Sequence, residues 1–325
     1  VDHEPPPETF REFDVPEPLA GERIDRAVSM LTGCSRSAAA DAVAAGQVLL
    51  DGSAERRVSR RLAAGAHLSV IVDPVPEPLP LVADPEVEFV VVHSDDDIAV
   101  IDKPAGLVVH PGPGHRGATL VNGLLAEFPQ LDPARPDGVG DPARPGLVHR
   151  LDRGTSGLLV VALNPAAYDD LVAQLSAHEV ERVYSALVRG VPEHERGLID
   201  APVGRSRRNP LRMTVTVDGR EARTHYEVDE VFSQPQPLAL LTCRLDTGRT
   251  HQIRVHLDSI GHPVIGDDLY GPQRPVLSLN RPFLHARELS FDHPGSGERV
   301  SFSSPLATEL DAVLGELRSQ SNPPV

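Results

Sequence analysis

One stretch constrains the chain more than any other. Residues 147–163 open with two apolar residues, Leu147 and Val148, and then break into a polar loop with Asp152 between Arg150 and Arg153. They close with the apolar run Leu158-Leu159-Val160-Val161-Ala162-Leu163, which is of strand length. Gly154 and Gly157 allow the loop backbone angles that other residues avoid. The flanking guanidinium groups are expected to hold the Asp152 carboxylate ionised, because positive charge favours the charged form. A plain surface turn with a structural ion pair would also fit these residues. The strand-loop-strand setting favours function, since reactive side chains often sit on loops held by a rigid scaffold.

The string His149-Arg150-Leu151-Asp152-Arg153-Gly154-Thr155-Ser156-Gly157 resembles the signature loop of the RluA family of pseudouridine synthases. The resemblance implies that Asp152 is the catalytic carboxylate. Three other segments share it. Asp102 to His110 is similar to an early family segment; there Lys103 and His110 face the site or serve the structure. Tyr184, in the strand-like run Val183 to Gly190, matches the family's tyrosine motif, whose ring packs on the target base. Arg182 stands two positions before it, where many relatives carry Lys. The third segment is Asp246 to His256, with Gly261 to Asp267 and Leu269-Tyr270-Gly271 beyond it. It implies that Arg254 pairs with Asp152, that Ile253 lines the base pocket, that Arg249 meets RNA phosphate and that Arg150 fills the gap left by a flipped nucleotide. The resemblance spans residues 20–305 and departs at Arg182, in the acidic tails and in the loop 129–146.

The chain divides by composition. Residues 1–18, rich in Pro and Glu, are expected to form a disordered acidic tail. Residues 19–73 read as a small α/β module. Arg23 to Leu31 shows apolar residues at helical spacing, and Ser35 can cap a second helix over Arg36 to Ala45 with Gly46 at its end. Val48-Leu49-Leu50 meets the hairpin signal Asp51-Gly52, and His67 to Val72 follows as a strand. This order resembles the small RNA-binding domain shared by a small-subunit ribosomal protein and tyrosyl-tRNA synthetases. In that resemblance Arg36, Arg56, Arg57, Arg60 and Arg61 contact phosphate; otherwise they form a solvated face. Residues 74–85 read as a stiff, Pro-rich linker.

Residues 86–320 are then the catalytic domain. Strands are expected at Val87 to Val92 and from Ile98, and a helix at Ala118 to Phe128. A second helix, capped by Asn164 with Pro165 in its first turn, should run to His178. Several antiparallel strands over 196–232 carry Arg205, Arg207, Arg208 and Arg212 in a loop. A strand at Leu238 to Leu245 precedes a helix that Thr250 can cap. Strands around Leu284 and Leu289 and a helix from Pro305 to Arg318 close the chain. The fold class expected is α+β: a mixed, mainly antiparallel sheet with flanking helices, plus the small N-terminal α/β domain.

A net charge of −16 argues against a simple nucleic-acid coat protein. Arginines nevertheless cluster at 56–61, 149–153, 205–212 and 249–254, so a local basic groove can bind RNA in a salt-sensitive manner. Cys34 and Cys243 show no disulfide or metal spacing, which fits a reducing cytoplasm. There is no apolar run of membrane-spanning length and no leader pattern, so no membrane partner is expected. Gly112, Gly114 and Gly117 imitate a dinucleotide-binding turn, but Pro111 and Pro113 remove backbone donors and no acid follows at the required distance. His251 and His256 lack the spacing of a helical metal pair. No metal site and no cofactor are expected.

Isomerising uridine breaks a nitrogen–carbon bond, turns the freed uracil and joins it again through carbon, with no electrons or phosphates exchanged. A carboxylate serves either as a nucleophile or as a base that forms a glycal-like intermediate, and the sequence leaves both routes open. The resemblance implies pseudouridine formation in RNA; with the RNA-binding appendage the expected substrate is large-subunit ribosomal RNA, and the expected state a monomer. A non-catalytic RNA-binding ribosome-assembly factor is the alternative. A glycoside hydrolase would need a second positioned acid, and no motif near the loop supplies one.

Overall fold

The structure, a computed structural model, describes residues 10–32, 34, 36–71, 81–111, 117–206, 209, 212–271, 277 and 279–321. Residues 1–9 of the acidic tail, the Ser35 cap, most of the linker, Gly112, Gly114, Arg207 and Arg208 lie outside the described residues. The chain divides into two compact units, Val1–Pro80 and Leu81–Val325.

In the first unit, β1 (Phe10–Asp14) is followed by α1 (Ile24–Thr32), α2 (Arg36–Ala45), β2 (Val48–Leu50), β3 (Ser53–Ala54) and β4 (His67–Ile71). The sheet order is β1-β4-β2-β3, every pair antiparallel. Ile24, Ala27 and Val28 of α1 recur at helical spacing and are buried with Ala39 and Val43 of α2 against Val48, Leu68 and Val70. Asp51 and Gly52 both take left-handed φ, 50° and 79°, as a primed hairpin turn requires. The expectation of a disordered segment to residue 18 fails from Phe10 onward. There the chain forms β1, Phe13 packs on the small core and Val15 is buried, so apolar burial outweighs the local Pro and Glu content.

The second unit is built on a nine-stranded mixed sheet. In chain order its elements are β5 (Val90–Ser94), β6 (Ile98–Lys103), α3 (Leu120–Glu127), β7 (Ser156–Ala162), α4 (Pro165–Ser176), β8 (Glu181–Arg189) and β9 (Arg196–Asp200). Next come β10 (Val203–Arg205), β11 (Met213–Val215), β12 (Arg223–Phe232), β13 (Leu238–Leu245) and α5 (Gln252–Ser259). β14 (Leu284–Asp292), β15 (Arg299–Ser303) and α6 (Thr308–Ser321) complete the unit. The strand order is β5-β6-β7-β14-β8-β13-β12-β9, with β15 on β14 and a separate β10-β11 hairpin. Among the described residues only β7 and β14 pair in parallel. Every residue of β7 is buried, which is why it reads as an unbroken apolar run rather than an alternating one.

The α+β expectation is met. Asn164 caps α4 by accepting from the Ala167 N–H at 2.9 Å, with Pro165 in the first turn. Two local expectations are corrected. The strands around Leu284 and Leu289 are one strand, β14. Thr250 does not cap α5: the helix starts at Gln252, after His251 at a left-handed φ of 57°.

Register brings the functional segments to one level. Lys103, Gly157, Ala286, Tyr184 and Cys243 lie side by side across β6, β7, β14, β8 and β13. Gly157 has φ 110°, and a Cβ there would lie 2.2 Å from the Ala286 carbonyl oxygen. Gly157→Ala should therefore cost on the order of 3 kcal/mol or more, and urea unfolding of the variant checks it.

Candidate active site

The polar loop ahead of β7 is tied from two sides. Gly106 N–H donates to the Arg153 carbonyl at 2.7 Å, and Arg153 Nε donates back to the Gly106 carbonyl at 3.1 Å. Across the loop, Arg281 donates to the Gly154 carbonyl at 3.3 Å and to Ser156 Oγ at 3.0 Å. Asp152 is presented between these ties with its side chain 14% exposed.

The arginines beside Asp152 in sequence do not pair with it. Arg153 turns to Gly106, and Arg150 is exposed and lines the cleft. Among the described residues its ion-pair partner of fixed charge is Arg254, whose Nη1 donates to Asp152 Oδ2 at 3.2 Å. Neighbours in an extended loop point apart, so the expected local pairing gives way to one spanning 102 positions.

Arg254 is placed by α5. Gln252 accepts from Thr247 Oγ1 at 2.8 Å and from the Arg249 N–H at 3.0 Å, and donates to the Arg223 carbonyl at 2.9 Å, which anchors the start of the helix. The rest of the Arg254 guanidinium is gripped by Asp267: Nε to Oδ2 at 2.6 Å and Nη2 to Oδ1 at 2.8 Å. Asp267 is fully buried and also accepts from the Leu269 and Tyr270 N–H groups at 3.0 Å each. Burial alone would lower the Arg254 pKa, but Asp267 and Asp152 outweigh it and hold it above its ordinary value. Burial alone would raise Asp267, yet Arg254 and the two amides keep it below the usual carboxylate range.

His251 Nε2 lies 4.0 Å from Asp152 Oδ1, and its Nδ1 is 2.9 Å from the Tyr270 hydroxyl. That hydroxyl also accepts from the Met213 N–H at 2.8 Å, which fixes the Tyr270 ring beside His251. Burial holds His251 below its ordinary pKa. Lys103 is fully buried, donates to the Pro104 and Leu107 carbonyls at 2.7 and 3.0 Å, and is pushed down to about 7 by burial. His110 is also held low, by burial and then by Arg150.

These groups open into a cleft of about 710 Å³. Its lining includes Asp152, Tyr184, Ile253 and Arg254 together with Arg150 and Arg249, so the structure brings together every residue assigned to the site in the second unit. Tyr184 is 6% exposed, and burial raises its hydroxyl pKa. Among the described residues the lining holds six arginines, 144, 150, 182, 220, 249 and 254, and one carboxylate, Asp152. The basic groove needed to reconcile RNA with a net charge of −16 is therefore present.

The arginines of the first unit lie on its surface. Arg36 pairs with Asp25 at 3.1 Å, and Arg57 and Arg60 approach Glu55 at 3.6 and 3.7 Å. Arg61 donates to the Gly21 carbonyl at 2.6 Å, and the Arg56 guanidinium lies against Gly46. All five are exposed.

Sequence reasoning missed Asp267, Tyr270 and Arg281 as parts of the site. One group among the described residues, Asp95, Asp97 and His293, has the composition of a metal site. His293 Nδ1, however, accepts from the Gly295 and Ser296 N–H groups, so Nε2 keeps its proton and donates to Asp95 at 2.9 Å. The group is a hydrogen-bonded tie between the β5-β6 and β14-β15 turns. His256 likewise spends both nitrogens, on Thr224 Oγ1 and the Ala201 carbonyl.

Comparison with known proteins agrees with this geometry. The family model described as RNA pseudouridylate synthase matches residues 97–259. An uncharacterized RNA pseudouridine synthase of Bacillus subtilis is 44% identical over 93% of this chain and 96% of its own. Ribosomal large subunit pseudouridine synthase D of Nitrosomonas europaea is 42% identical over 95% of this chain and 88% of its own. Human RNA pseudouridylate synthase domain containing 1 superposes with a TM-score of 0.52 at 27% identity, covering 73% of this chain and 97% of that one. No helix among the described residues is long and apolar enough to cross a membrane. With its motifs gathered at one cleft and relatives aligned along nearly their whole length, this chain belongs to the RNA pseudouridylate synthase family, as an isomerase acting on RNA.

Proposed function

We propose that this enzyme converts uridine to pseudouridine in large-subunit ribosomal RNA, with Asp152 as the catalytic carboxylate. The observation that carries the reading is the Asp152–Arg254 ion pair beside Tyr184 in an arginine-lined cleft. A flipped uridine enters the cleft with its base on the Tyr184 ring and against Ile253, and Arg150 fills the space it leaves. Extrusion costs a few kcal/mol and is easiest in a loop or irregular helix. Asp152 accepts from Arg254 through one oxygen and keeps the other for the ribose–base junction. Both routes open to it, attack as a nucleophile or proton abstraction toward a glycal, need it charged, and Arg254 favours that state. Arg249, and Arg36, Arg56, Arg57, Arg60 and Arg61 of the first unit, bind phosphate.

The choice of ribosomal RNA is supported by the named activity of the Nitrosomonas relative and by the first unit's exposed arginines. A ribosomal substrate and the unpaired Cys34 and Cys243 support a cytoplasmic enzyme. The test uses large-subunit ribosomal RNA transcribed with uridine tritiated at C5. Forming the new carbon–carbon bond expels that hydrogen into water. Release matching the number of pseudouridines mapped is expected; bound RNA with no release would leave an assembly factor.

A further inference from the structure

The mechanism above gives no role to Arg182. Arg182 is 6% exposed, lines the base cleft and precedes Tyr184 by two positions on β8, so both side chains project from the same face of the strand. Its Nη2 donates to the Leu245 and Asp246 carbonyls at 3.3 and 3.1 Å. Its Nε is buried without a hydrogen-bond partner, and among the described residues no carboxylate lies within 4.0 Å of the guanidinium. The residue facing Nη1 is Gly248, where a Cβ would lie 2.8 Å away, so the space before the guanidinium is kept clear. Arg182 also walls a second depression of about 370 Å³ that adjoins the cleft.

A desolvated guanidinium without an ion-pair partner is costly, and here two backbone carbonyls and the more distant Asp246 carboxylate offset it only in part. Two other neighbours do not help. Arg249 adds positive charge, and His149 beside it is pushed down to about 3 and stays neutral, its Nε2 accepting from the Val160 N–H. Such a group is matched by an anion that arrives with the substrate. We propose that Arg182 binds a phosphodiester oxygen of the RNA strand next to the flipped uridine, so that base and backbone are gripped by two side chains of one strand. An RNA backbone leaving the cleft toward the second depression passes this guanidinium. A phosphate is favoured over a uracil carbonyl because only a charged ligand offsets the buried cation.

This inference rests on the pseudouridine synthase reading, and the experiment separates the two. Tritium release by the wild-type protein from unmodified large-subunit ribosomal RNA comes first; its absence overturns the enzyme reading and this proposal with it. The same RNA is then sparsely ethylated at phosphates. Molecules ethylated at a phosphate flanking the target uridine should be depleted about tenfold from the converted fraction. Arg182→Gln should remove that depletion and raise KM for unmodified RNA about tenfold or more, with a smaller change in kcat. Arg182→Lys, which keeps the cation, should stay nearer to wild type in KM. Wild-type protein indifferent to ethylation at both flanking phosphates overturns the proposal, whether or not the variants fold. So does R182Q with its interference intact, which would place Arg182 on the base or in a purely structural role.

Discussion

Asp152→Asn should abolish tritium release, by about 10⁴-fold or more, while RNA affinity stays within a few fold of wild type. The change keeps the shape of the side chain and removes its charge, so neither a nucleophile nor a base remains. Arg254 is not stranded, because Asp267 still holds two of its nitrogens. The fold should therefore lose no more than about 1–2 kcal/mol. Binding has its own reason to survive: Asp152 is the single carboxylate among the cleft's described lining residues, facing six arginines. Neutralising it leaves the groove more attractive to phosphate. Separate measurements of release, filter binding and urea unfolding distinguish loss of chemistry from loss of binding or fold. Release at even a few per cent of the wild-type rate would remove Asp152 from the chemistry.

What could be read beforehand follows the physical range of each interaction. Local signals served well: Asn164-Pro165 marks the start of α4, Asp51-Gly52 marks a primed turn, and the apolar run after Gly157 marks a buried strand. The Asp152–Arg254 pair was legible only through resemblance, because no spacing rule links residues 102 positions apart. Local charge pointed instead to Arg150 and Arg153, which the structure turns elsewhere. The parts played by Arg281 and Asp267 were not legible for a related reason. Each acts through contacts made by the fold, Arg281 on the loop carbonyl of Gly154 and Asp267 beneath Arg254, and neither sits in a pattern that announces a partner. Phe10 to Asp14 was misread because Pro and Glu content says little about a short strand whose pairing partner lies more than 50 positions away. The missing counter-ion of Arg182 belongs to the same class, since a deficit of contacts leaves no trace in sequence.

The residue that sequence reasoning left without a role carries the second large effect. Asp267→Asn should destabilise the protein by on the order of 3 kcal/mol at pH 7 and lower kcat about 10- to 100-fold with less change in KM. The Asp267 carboxylate accepts four hydrogen bonds, from Arg254 Nε and Nη2 and from the Leu269 and Tyr270 amides. An asparagine offers one oxygen and turns an NH₂ group toward donors, so at least one buried donor is left unpaired. With one carboxylate gone, Arg254 is drawn wholly onto Asp152, which ties up the oxygen that must react and shifts it from its working position. Linkage gives a further signature. Because the folded-state pKa of Asp267 is held low, its contribution to stability is complete above the unfolded value of about 4 and is lost as pH falls through the lower folded value. The stability gap between wild type and D267N should therefore shrink on acidification from pH 7 into that range. Adding Arg254→Met should cost less than the sum of the two single changes, since the cation that Asp267 balances is then gone, yet tritium release should fall further, because Asp152 has then lost its partner. A strictly additive cycle would mean that Asp267 supports the fold through its backbone contacts alone and leaves Arg254 to position itself, and a gap that does not change with pH would mean that neither Arg254 nor the two amides hold its carboxylate low.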